Sequence, residues 1–283
     1  MTTFGYVGLG MMGSAMCGHL AGANLGEVLI HDLVERRVER VVELGAIAAG
    51  SNQAVAEAAD IVSTCVPAAQ HIEAVIDDLE LVAKPGQVLL IHSTVHPATI
   101  RAAQARMATW GGHVFDACVA GGNEAAREGQ LAIFAGGLSD APDAVHELLD
   151  VFGSKVIDAG PVGAGAALKI GVNVMTYAQF AAAAIAHDGV AASGGNPQAL
   201  LEAWRHTGML GALTENFSGM LGLAPADLTG GFREMIETQV GIGEKDLELA
   251  TELGDPPEAV IDVVRSIQRL MPAVYRTITM EEA

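Results

Sequence analysis

A lysine and an asparagine stand four residues apart in an otherwise apolar stretch of the chain. Lys169 and Asn173 lie within the helical pattern Ala164–Ala192. Four residues turn an α-helix by about 400°, so both side chains share one side of it, roughly 6 Å apart along the axis. A lysine partly removed from water is a usable proton donor and acceptor, and an asparagine can hold a hydroxyl or a carboxylate. The spacing alone fits equally well a lysine that extends into solvent.

A glycine loop near the N-terminus has the pattern that cradles phosphates. It follows the apolar run Phe4–Val7 and reads G-x-G-x-x-G through Gly8, Leu9, Gly10, Met11, Met12 and Gly13. The first glycine allows a tight turn, the second lets a pyrophosphate approach the backbone, and the third lets helix and strand pack closely, with the phosphate at the positive end of the helix. A glycine-rich turn in an unrelated α/β protein is the alternative.

An acidic residue follows the next predicted strand, residues 27–31. Asp32 stands where a carboxylate can accept hydrogen bonds from both ribose hydroxyls of an adenosine. The same carboxylate would repel a 2′-phosphate, so we predict NAD rather than NADP as the cofactor. Arg36 and Arg37 follow closely and could soften that preference, although exposed positions on the next helix explain them as well.

Strand and helix patterns alternate in the first half of the chain and only helical patterns follow. The predicted strands are 4–7, 27–31, 46–48, 61–66, 87–91, 114–115, 131–135 and 155–157, and the later helices are 164–192, 197–206, 232–253 and 258–273. Alternation predicts a Rossmann-type, doubly wound, mostly parallel sheet with helices on both faces. We therefore predict an α/β domain at 1–162, then an all-helical domain at 163–283 that begins with a long interdomain helix.

Composition excludes several classes of partner. The 283 residues carry a formal net charge of −19, which argues against nucleic acid and against an anionic membrane surface. The apolar run 170–186 contains Asn173, Thr176, Tyr177 and Gln179, so we expect a buried helix and not a membrane span. No secretory signal is visible, and Cys17, Cys65 and Cys118 share no metal or redox spacing. We expect a cytoplasmic protein without a metal site.

Four separated segments together resemble one enzyme family. They are 8–16, then 116–122 with 129–137 behind it, then 160–165 followed by Lys169 and Asn173, and finally 245–247. In this order they are similar to the β-hydroxyacid dehydrogenases, the family of 3-hydroxyisobutyrate, tartronate-semialdehyde and related dehydrogenases. The resemblance covers nearly the whole chain.

The resemblance implies a mechanism and a set of ligand contacts. Lys169 would take the proton from a substrate hydroxyl while hydride leaves the same carbon for C4 of the nicotinamide, and would return a proton in reduction. Gly121 and Gly122 would offer N–H groups to a carboxylate, and Asn173 would orient the substrate. The residues that would line the cofactor, besides the glycine loop and Asp32, are Val66, Pro67, His71, Thr94 and Lys245. The partners implied are a small hydroxyacid or aldehyde and further copies of the chain, as a homodimer or homotetramer packed through the long helix.

The substrate segment departs from the family pattern. Ala120 stands where the family usually has a serine that grips the substrate carboxylate, and Cys118 stands where proline is usual. Losing a hydroxyl donor could weaken carboxylate binding by about 1–3 kcal/mol. Substrate identity therefore stays open. The alternatives are an imine reductase, although such enzymes usually lack the lysine and commonly use NADPH, and a non-catalytic NAD-binding protein. A 6-phosphogluconate dehydrogenase would need a much longer helical domain.

Overall fold

The computed structural model describes residues 2–283 and falls into two compact units. The first unit ends at Lys169 and the second runs from Ile170 to Ala283. The division lies inside the long helix that begins at Ala164. The domain boundary proposed above after Val162 stays a prediction.

The first unit alternates strands and helices, as the sequence predicted. Its elements are β1 Phe4–Val7, α1 Met11–Gly22, β2 Val28–His31, α2 Glu35–Val42, β3 Ile47–Ala48, α3 Asn52–Ala58, β4 Ile61–Thr64, α4 Ala69–Val82, β5 Val88–Ile91, α5 Pro97–Ala108, β6 His113–Ala120, α6 Gly122–Arg127, β7 Leu131–Gly136, a 3₁₀ turn Leu138–Asp140, α7 Asp143–Phe152 and β8 Gly153–Gly160.

The strands form one eight-stranded sheet in the order β3-β2-β1-β4-β5-β6-β7-β8. The first six in chain order are parallel, β7 pairs antiparallel with β6, and β8 pairs parallel with β7. The doubly wound, mostly parallel sheet is thereby confirmed. The strand order reverses between β1 and β4, so the loops after these strands open at the point where such sheets bind ligands.

Local sequence signals explain where several elements begin and why the sheet is buried. Ser51 accepts a hydrogen bond from the N–H of Ala54 and caps α3, while Pro97 opens α5. The central strands β4 and β5 are buried along their whole length. β5 is apolar throughout, whereas β4 ends in the buried polar residues Ser63 and Thr64. Burial along a whole strand is typical of sheets covered on both faces. Separate apolar clusters accordingly pack on the two faces of the sheet.

The second unit is helical, which confirms the predicted all-helical region. Its elements are the remainder of α8 Ala164–Ala192, α9 Pro197–Thr207, α10 Ala212–Phe217, α11 Gly230–Thr251 and α12 Glu258–Val274, with short 3₁₀ turns at Ser218–Met220 and Pro225–Asp227. One apolar cluster forms its core, with Phe180 and Phe217 stacked at a centroid distance of 4.1 Å. Arg276, itself buried, binds both carboxylate oxygens of Asp188 at 2.6 and 2.9 Å.

Helix α8 is long and apolar enough to cross a membrane by length and composition, a criterion that the core helix of a soluble protein also meets. Within its most apolar window, 39% of the residues are buried, so the helix is less buried than the sequence led us to expect. Its exposed side includes Met175 and Ile185, and its polar residues Asn173 and Asp188 are bonded to other parts of the protein.

A buried histidine lies under the edge of the sheet where β5 ends. The Nδ1 atom of His92 is 2.9 Å from the carbonyl oxygen of Ala117, and its Nε2 is 3.2 Å from Oγ of Ser63. The ring stacks on Tyr6 and meets the edge of Phe152. Burial lowers the pKa of His92 to about 4, with the hydrogen bond to Ala117 opposing the shift. The neutral ring can therefore donate its Nδ1 proton to Ala117 and accept from Ser63.

We expect His92 to make the protein acid-sensitive. In the unfolded chain this residue is protonated below about pH 6.5, whereas in the folded chain it stays neutral down to about pH 4. The free energy of unfolding therefore falls as the pH drops from about 6.5 to about 4. Between pH 7.5 and pH 5 the loss is about 2 kcal/mol in the free energy of unfolding. His92→Asn keeps a donor for Ala117 and removes the titration.

Urea denaturation of the wild type and of His92→Asn at pH 7.5 and pH 5 measures this loss in the free energy of unfolding. Both pH values lie above the isoelectric point, which is near 4.7. The wild type should lose about 2 kcal/mol more than the variant. Parallel losses in the two proteins would show that His92 is not the group responsible.

Candidate cofactor and active site

The glycine loop is shaped by two close backbone contacts and one open position. Gly8 follows β1 with φ +90°, and a Cβ on it would lie 2.5 Å from the carbonyl oxygen of Cys65. A Cβ on Gly13 would overlap the carbonyl oxygen of Gly8. A Cβ on Gly10, the residue before α1, would meet nothing within 4 Å. Two glycines therefore permit close packing, while the third leaves the amino end of α1 accessible to a phosphate.

Asp32 fastens the glycine loop to the end of β2. One carboxylate oxygen accepts from the N–H of Leu9 at 2.6 Å, and the other accepts from the N–H of Val34 at 2.8 Å. Nη1 of Arg37 lies 3.4 Å from the second oxygen. A carboxylate has about four acceptor directions, so one remains for a ribose hydroxyl. The geometry thus leaves room for one ribose hydroxyl at Asp32, where the sequence predicted contacts with both, and the ribose contact stays a prediction.

A cleft of about 340 Å³ opens beside the glycine loop and is lined by arginines. Leu9, Gly10 and Met11 form its floor with Ser14 and Ala15, and its other residues are Arg37, Arg40, Asn123 and Arg127. Within residues 2–283, neither Arg40 nor Arg127 takes part in an ion pair. In a chain with 34 acidic and 15 basic residues, this local positive charge suits the phosphates of a dinucleotide. Sequence reasoning missed Arg40 and Arg127, which are far apart in the chain.

The other predicted cofactor residues lie after the strands that neighbour β1. Val66 and Pro67 follow β4, and the N–H of Val66 donates to Oγ of Ser93 at 2.8 Å. Thr94 is partly buried just beyond β5. His71 is exposed in the first turn of α4. The glycine loop, Val66-Pro67 and Thr94 thus share the carboxyl edge of the parallel strands, as predicted.

The predicted substrate segment follows β6. Ala120 ends that strand and is partly buried, and Gly121 and Gly122 have φ values of +132° and +74°, a conformation that favours glycine. A Cβ on Gly121 would lie 2.7 Å from Cβ of Ala125. Cys118 is buried, and its Sγ lies 3.4 Å from the carbonyl oxygen of Ser93. The two glycines are exposed, so their backbone is accessible to a small molecule.

Lys169 is partly buried on α8, one helical turn before Asn173. Asn173 is buried, and its Nδ2 donates to a carboxylate oxygen of Asp246 at 2.6 Å. The hydroxyl of Tyr177 lies 3.4 Å from the same oxygen, and Nζ of Lys245 lies 2.9 Å from the other. The carboxylate of Asp246 therefore orients both Asn173 and Lys245. Sequence reasoning quoted Asp246 in a motif without giving it a role; an acid inside an apolar helical pattern was the available signal.

Burial also affects the tyrosine of this cluster. Desolvation, followed by the nearby charge of Asp246, raises the pKa of Tyr177 well above its usual range, so its hydroxyl remains a hydrogen-bond donor at neutral pH.

Among residues 2–283 no group of three or more His, Cys, Asp or Glu side chains is arranged to hold a metal ion.

Comparison with known proteins identifies the family. A family model described as the NAD binding domain of 6-phosphogluconate dehydrogenase matches residues 3–160. The chain is 34% identical to 3-hydroxyisobutyrate dehydrogenase of Pseudomonas aeruginosa over 88% of this chain and 84% of the relative. It is 33% identical to NAD-dependent L-serine dehydrogenase of the same organism, over 89% and 85%.

The chain belongs to the β-hydroxyacid dehydrogenase family. Its cofactor is NAD, and it is an NAD-dependent oxidoreductase. The fold of this β-hydroxyacid dehydrogenase is also that of the Mycobacterium tuberculosis 3-hydroxyisobutyrate dehydrogenase solved with L-serine, with a TM-score of 0.83 at 24% identity over 98% of this chain and 96% of that one. Imine reductases share the fold at lower identity.

We expect the arginine-lined cleft to contribute to NAD binding. Arg40→Ala and Arg127→Ala each remove a positive charge beside the glycine loop, so each should raise the Kd for NADH about three- to tenfold at low ionic strength, with a smaller salt dependence than the wild type. Fluorescence titration with NADH at about 20 and 200 mM salt measures both effects.

Arg36→Ala is the matched control, because it removes the same charge from the same helix at an exposed position that does not line the cleft. Its Kd should change less than about twofold. Equal effects of Arg36→Ala and Arg40→Ala would mean that only overall charge matters.

Proposed function

We propose that this protein transfers a hydride between NAD and a β-hydroxyacid, or the corresponding semialdehyde, with Lys169 as the general acid and base. The observation that carries the proposal is the arrangement on α8: a partly buried lysine one turn before an asparagine whose amide is held by a buried carboxylate. Such acid–base assistance is typically worth about 10²–10⁴ in rate.

Proton transfer is the part of the reaction that the side chains perform. In oxidation Nζ of Lys169 takes the proton of the substrate hydroxyl, and in reduction it gives a proton to the carbonyl oxygen. NAD, when bound, supplies the hydride acceptor or donor. The N–H groups of Gly121 and Gly122 bind the substrate carboxylate, and their positive φ values fix the direction of the peptide units.

The contact with Asp246 decides which atom Asn173 offers to a ligand. A carboxylate only accepts hydrogen bonds, so the amide nitrogen of Asn173 must face Asp246. The amide oxygen therefore points the other way and can accept a hydrogen bond from a substrate hydroxyl. This orientation favours a hydroxyl over a carboxylate at Asn173 and leaves the carboxylate to the glycine pair.

The substrate class follows from the same division of roles. The relatives named after 3-hydroxyisobutyrate and L-serine act on compounds with a carboxylate and a hydroxyl on the third carbon. In this chain Ala120 offers no hydroxyl donor, so carboxylate recognition depends on backbone N–H groups. We infer that the substrate is a β-hydroxyacid. Either its carboxylate is bound less tightly than in family members with a serine at the position of Ala120, or the substrate itself is bulkier near this residue.

An imine reductase of the same fold is the second candidate. The structural similarity to imine reductases favours it at the level of the fold. Lys169 and Asp32 count against it, because imine reductases usually lack the lysine and commonly use NADPH. Cyclic imines offered with NADPH test this candidate directly.

We also propose a cytoplasmic homodimer or homotetramer, with residues 1–162 as the cofactor domain and 163–283 as the substrate and dimerisation domain. A groove of about 390 Å³ between α8 and α12 is lined by small and apolar side chains, including Ala178, Ala182, Ile185 and Val263. Ile185 and Val263 are 53% and 59% exposed, and an apolar surface of this kind is typical of an interface between subunits.

Replacement of Lys169 tests the proposed proton carrier. Lys169→Ala should lower kcat by about 10²–10⁴ while the Kd for NADH stays within about twofold of the wild type. Lys169→Arg should be equally inactive, because a guanidinium keeps the charge but does not release a proton at working pH. The assay is a panel of β-hydroxyacids of increasing size, including 3-hydroxyisobutyrate and L-serine, followed by NADH absorbance.

The exposed Lys155 on β8 is the control, and Lys155→Ala should leave kcat unchanged. A Lys169→Ala enzyme with kcat within about tenfold of the wild type would remove Lys169 from the acid–base role.

Restoring a hydroxyl at residue 120 tests the substrate class. Ala120→Ser should strengthen carboxylate binding by about 1 kcal/mol, which is about fivefold in KM, because it adds one hydrogen-bond donor. KM is compared for each acid of the panel and for the matching alcohol that lacks the carboxylate. Only the acids should improve; an equal change for acid and alcohol would mean that residue 120 does not face the carboxylate.

A further inference from the structure

Asp116 holds the start of helix α8 against the sheet. This residue lies in the middle of β6 and is fully buried. One of its carboxylate oxygens accepts from the N–H of Gly163 at 2.7 Å, and the other accepts from the N–H of Ala166 at 2.7 Å. The first amides of a helix have no partner within the helix, so a strand residue here supplies the cap that Gly163 cannot.

The backbone of two glycines packs tightly against the carboxylate of Asp116. A Cβ on Gly136 of β7 would overlap the carboxylate of Asp116. A Cβ on Gly165 would overlap the carbonyl oxygen of Phe134 and would lie 2.8 Å from the same carboxylate. The first turn of α8 therefore rests directly on β7 and on Asp116, and any change in the length or charge of this side chain must move the helix.

The two elements joined by Asp116 are the ones that carry the predicted chemistry of the first unit. On β6, Ala120 lies four residues after Asp116 and is followed by Gly121 and Gly122. α8 leads, three residues after Ala166, to Lys169. We propose that Asp116 is a positioning residue that sets the distance between the substrate-binding glycines and Lys169. The inference rests on the proposed role of Lys169.

The chemistry of the carboxylate explains why an isosteric amide would not replace it. Both N–H groups point at oxygens, and an asparagine offers only one oxygen acceptor, so one backbone N–H would face an NH₂ group. Burial raises the pKa of Asp116, and the hydrogen bonds from Gly163 and Ala166 oppose this shift. A charged acceptor at a helix amino end is further favoured by the helix dipole.

The test compares Asp116→Asn with a control that disturbs the same unit elsewhere. Gln87 is also buried, and its amide donates to the carbonyl oxygens of Ala56 and Ala59 at 2.7 and 2.8 Å. Gln87→Leu should therefore lower Tm as Asp116→Asn does, without touching α8. For both variants, NADH titration gives the fraction of binding-competent protein and the Kd, and kcat and KM are expressed per bound NADH.

We expect Asp116→Asn to lower kcat per bound NADH about 10- to 100-fold and to raise the substrate KM, with the Kd for NADH unchanged. The solvent deuterium isotope effect on kcat should rise, because a displaced amine makes proton transfer slower than the other steps. Gln87→Leu should leave kcat per bound NADH, KM and the isotope effect as in the wild type. Equal kcat per bound NADH in wild type and Asp116→Asn would overturn the inference, as would an equal loss in the control.

A second variant covers the case in which Asp116→Asn does not fold. Asp116→Glu keeps the charge and both acceptor oxygens but adds one methylene, so it should push the first turn of α8 outward and lower kcat in the same way. A Glu variant that binds NADH and retains wild-type kcat would also reject the inference.

The double variant with Lys169→Ala separates this inference from the proposed function. If Asp116 acts through Lys169, Asp116→Asn/Lys169→Ala should be no slower than Lys169→Ala alone. If Lys169→Ala retains turnover, the proposed function fails whatever Asp116 does. If Lys169→Ala is inactive while Asp116→Asn is fully active, only the positioning role fails.

Discussion

Buried carboxylates that accept backbone or amide N–H groups hold this molecule together where its chemistry is placed. Asp32 fixes the glycine loop, Asp116 fixes the first turn of α8, and Asp246 fixes the amide of Asn173. Asp116 lies on β6 and Asp246 on α11, and both bind donors on or next to α8, while Asp32 lies after β2 and binds the N–H of Leu9 in the glycine loop. A buried acid that loses its hydrogen-bond donors carries a large desolvation cost, so each of these contacts constrains the geometry of the donors around it.

Two glycines, Gly13 and Gly165, permit the close approach of backbone segments that the buried acids hold in place. Gly13 packs against the carbonyl of Gly8, and Gly165 packs against the carbonyl of Phe134 and the carboxylate of Asp116. In both places the amino end of a helix comes within backbone contact of the sheet, which only a residue without Cβ permits. The same requirement explains why glycine stands near the start of both helices, in segments that are far apart in the chain.

Local signals account for what the sequence could predict. The strands β4 and β5, which the structure confirms, and the N-cap at Ser51 and the proline that opens α5 all depend on residues within a few positions of one another. The antiparallel pairing of β7 with β6, and the full length of β6, depend on contacts across the sheet. Asp116 and Asp246 were visible as residues, but the N–H groups of Gly163, Ala166 and Asn173 that they accept from lie 47 to 73 positions away in the chain, which no local pattern reveals.

Net charge and local charge act in opposite directions on the ligands of this protein. A chain of charge −19 repels an anionic dinucleotide and a carboxylate at long range, where salt screens the effect. Under the proposed function, an anionic ligand would meet favourable groups at contact distance: Arg40 and Arg127, the amino end of α1 and the exposed backbone of Gly121 and Gly122. Asp32, the acid that contacts the glycine loop, accepts hydrogen bonds from the N–H groups of Leu9 and Val34, so the fold already compensates part of its negative charge beside the proposed phosphate site.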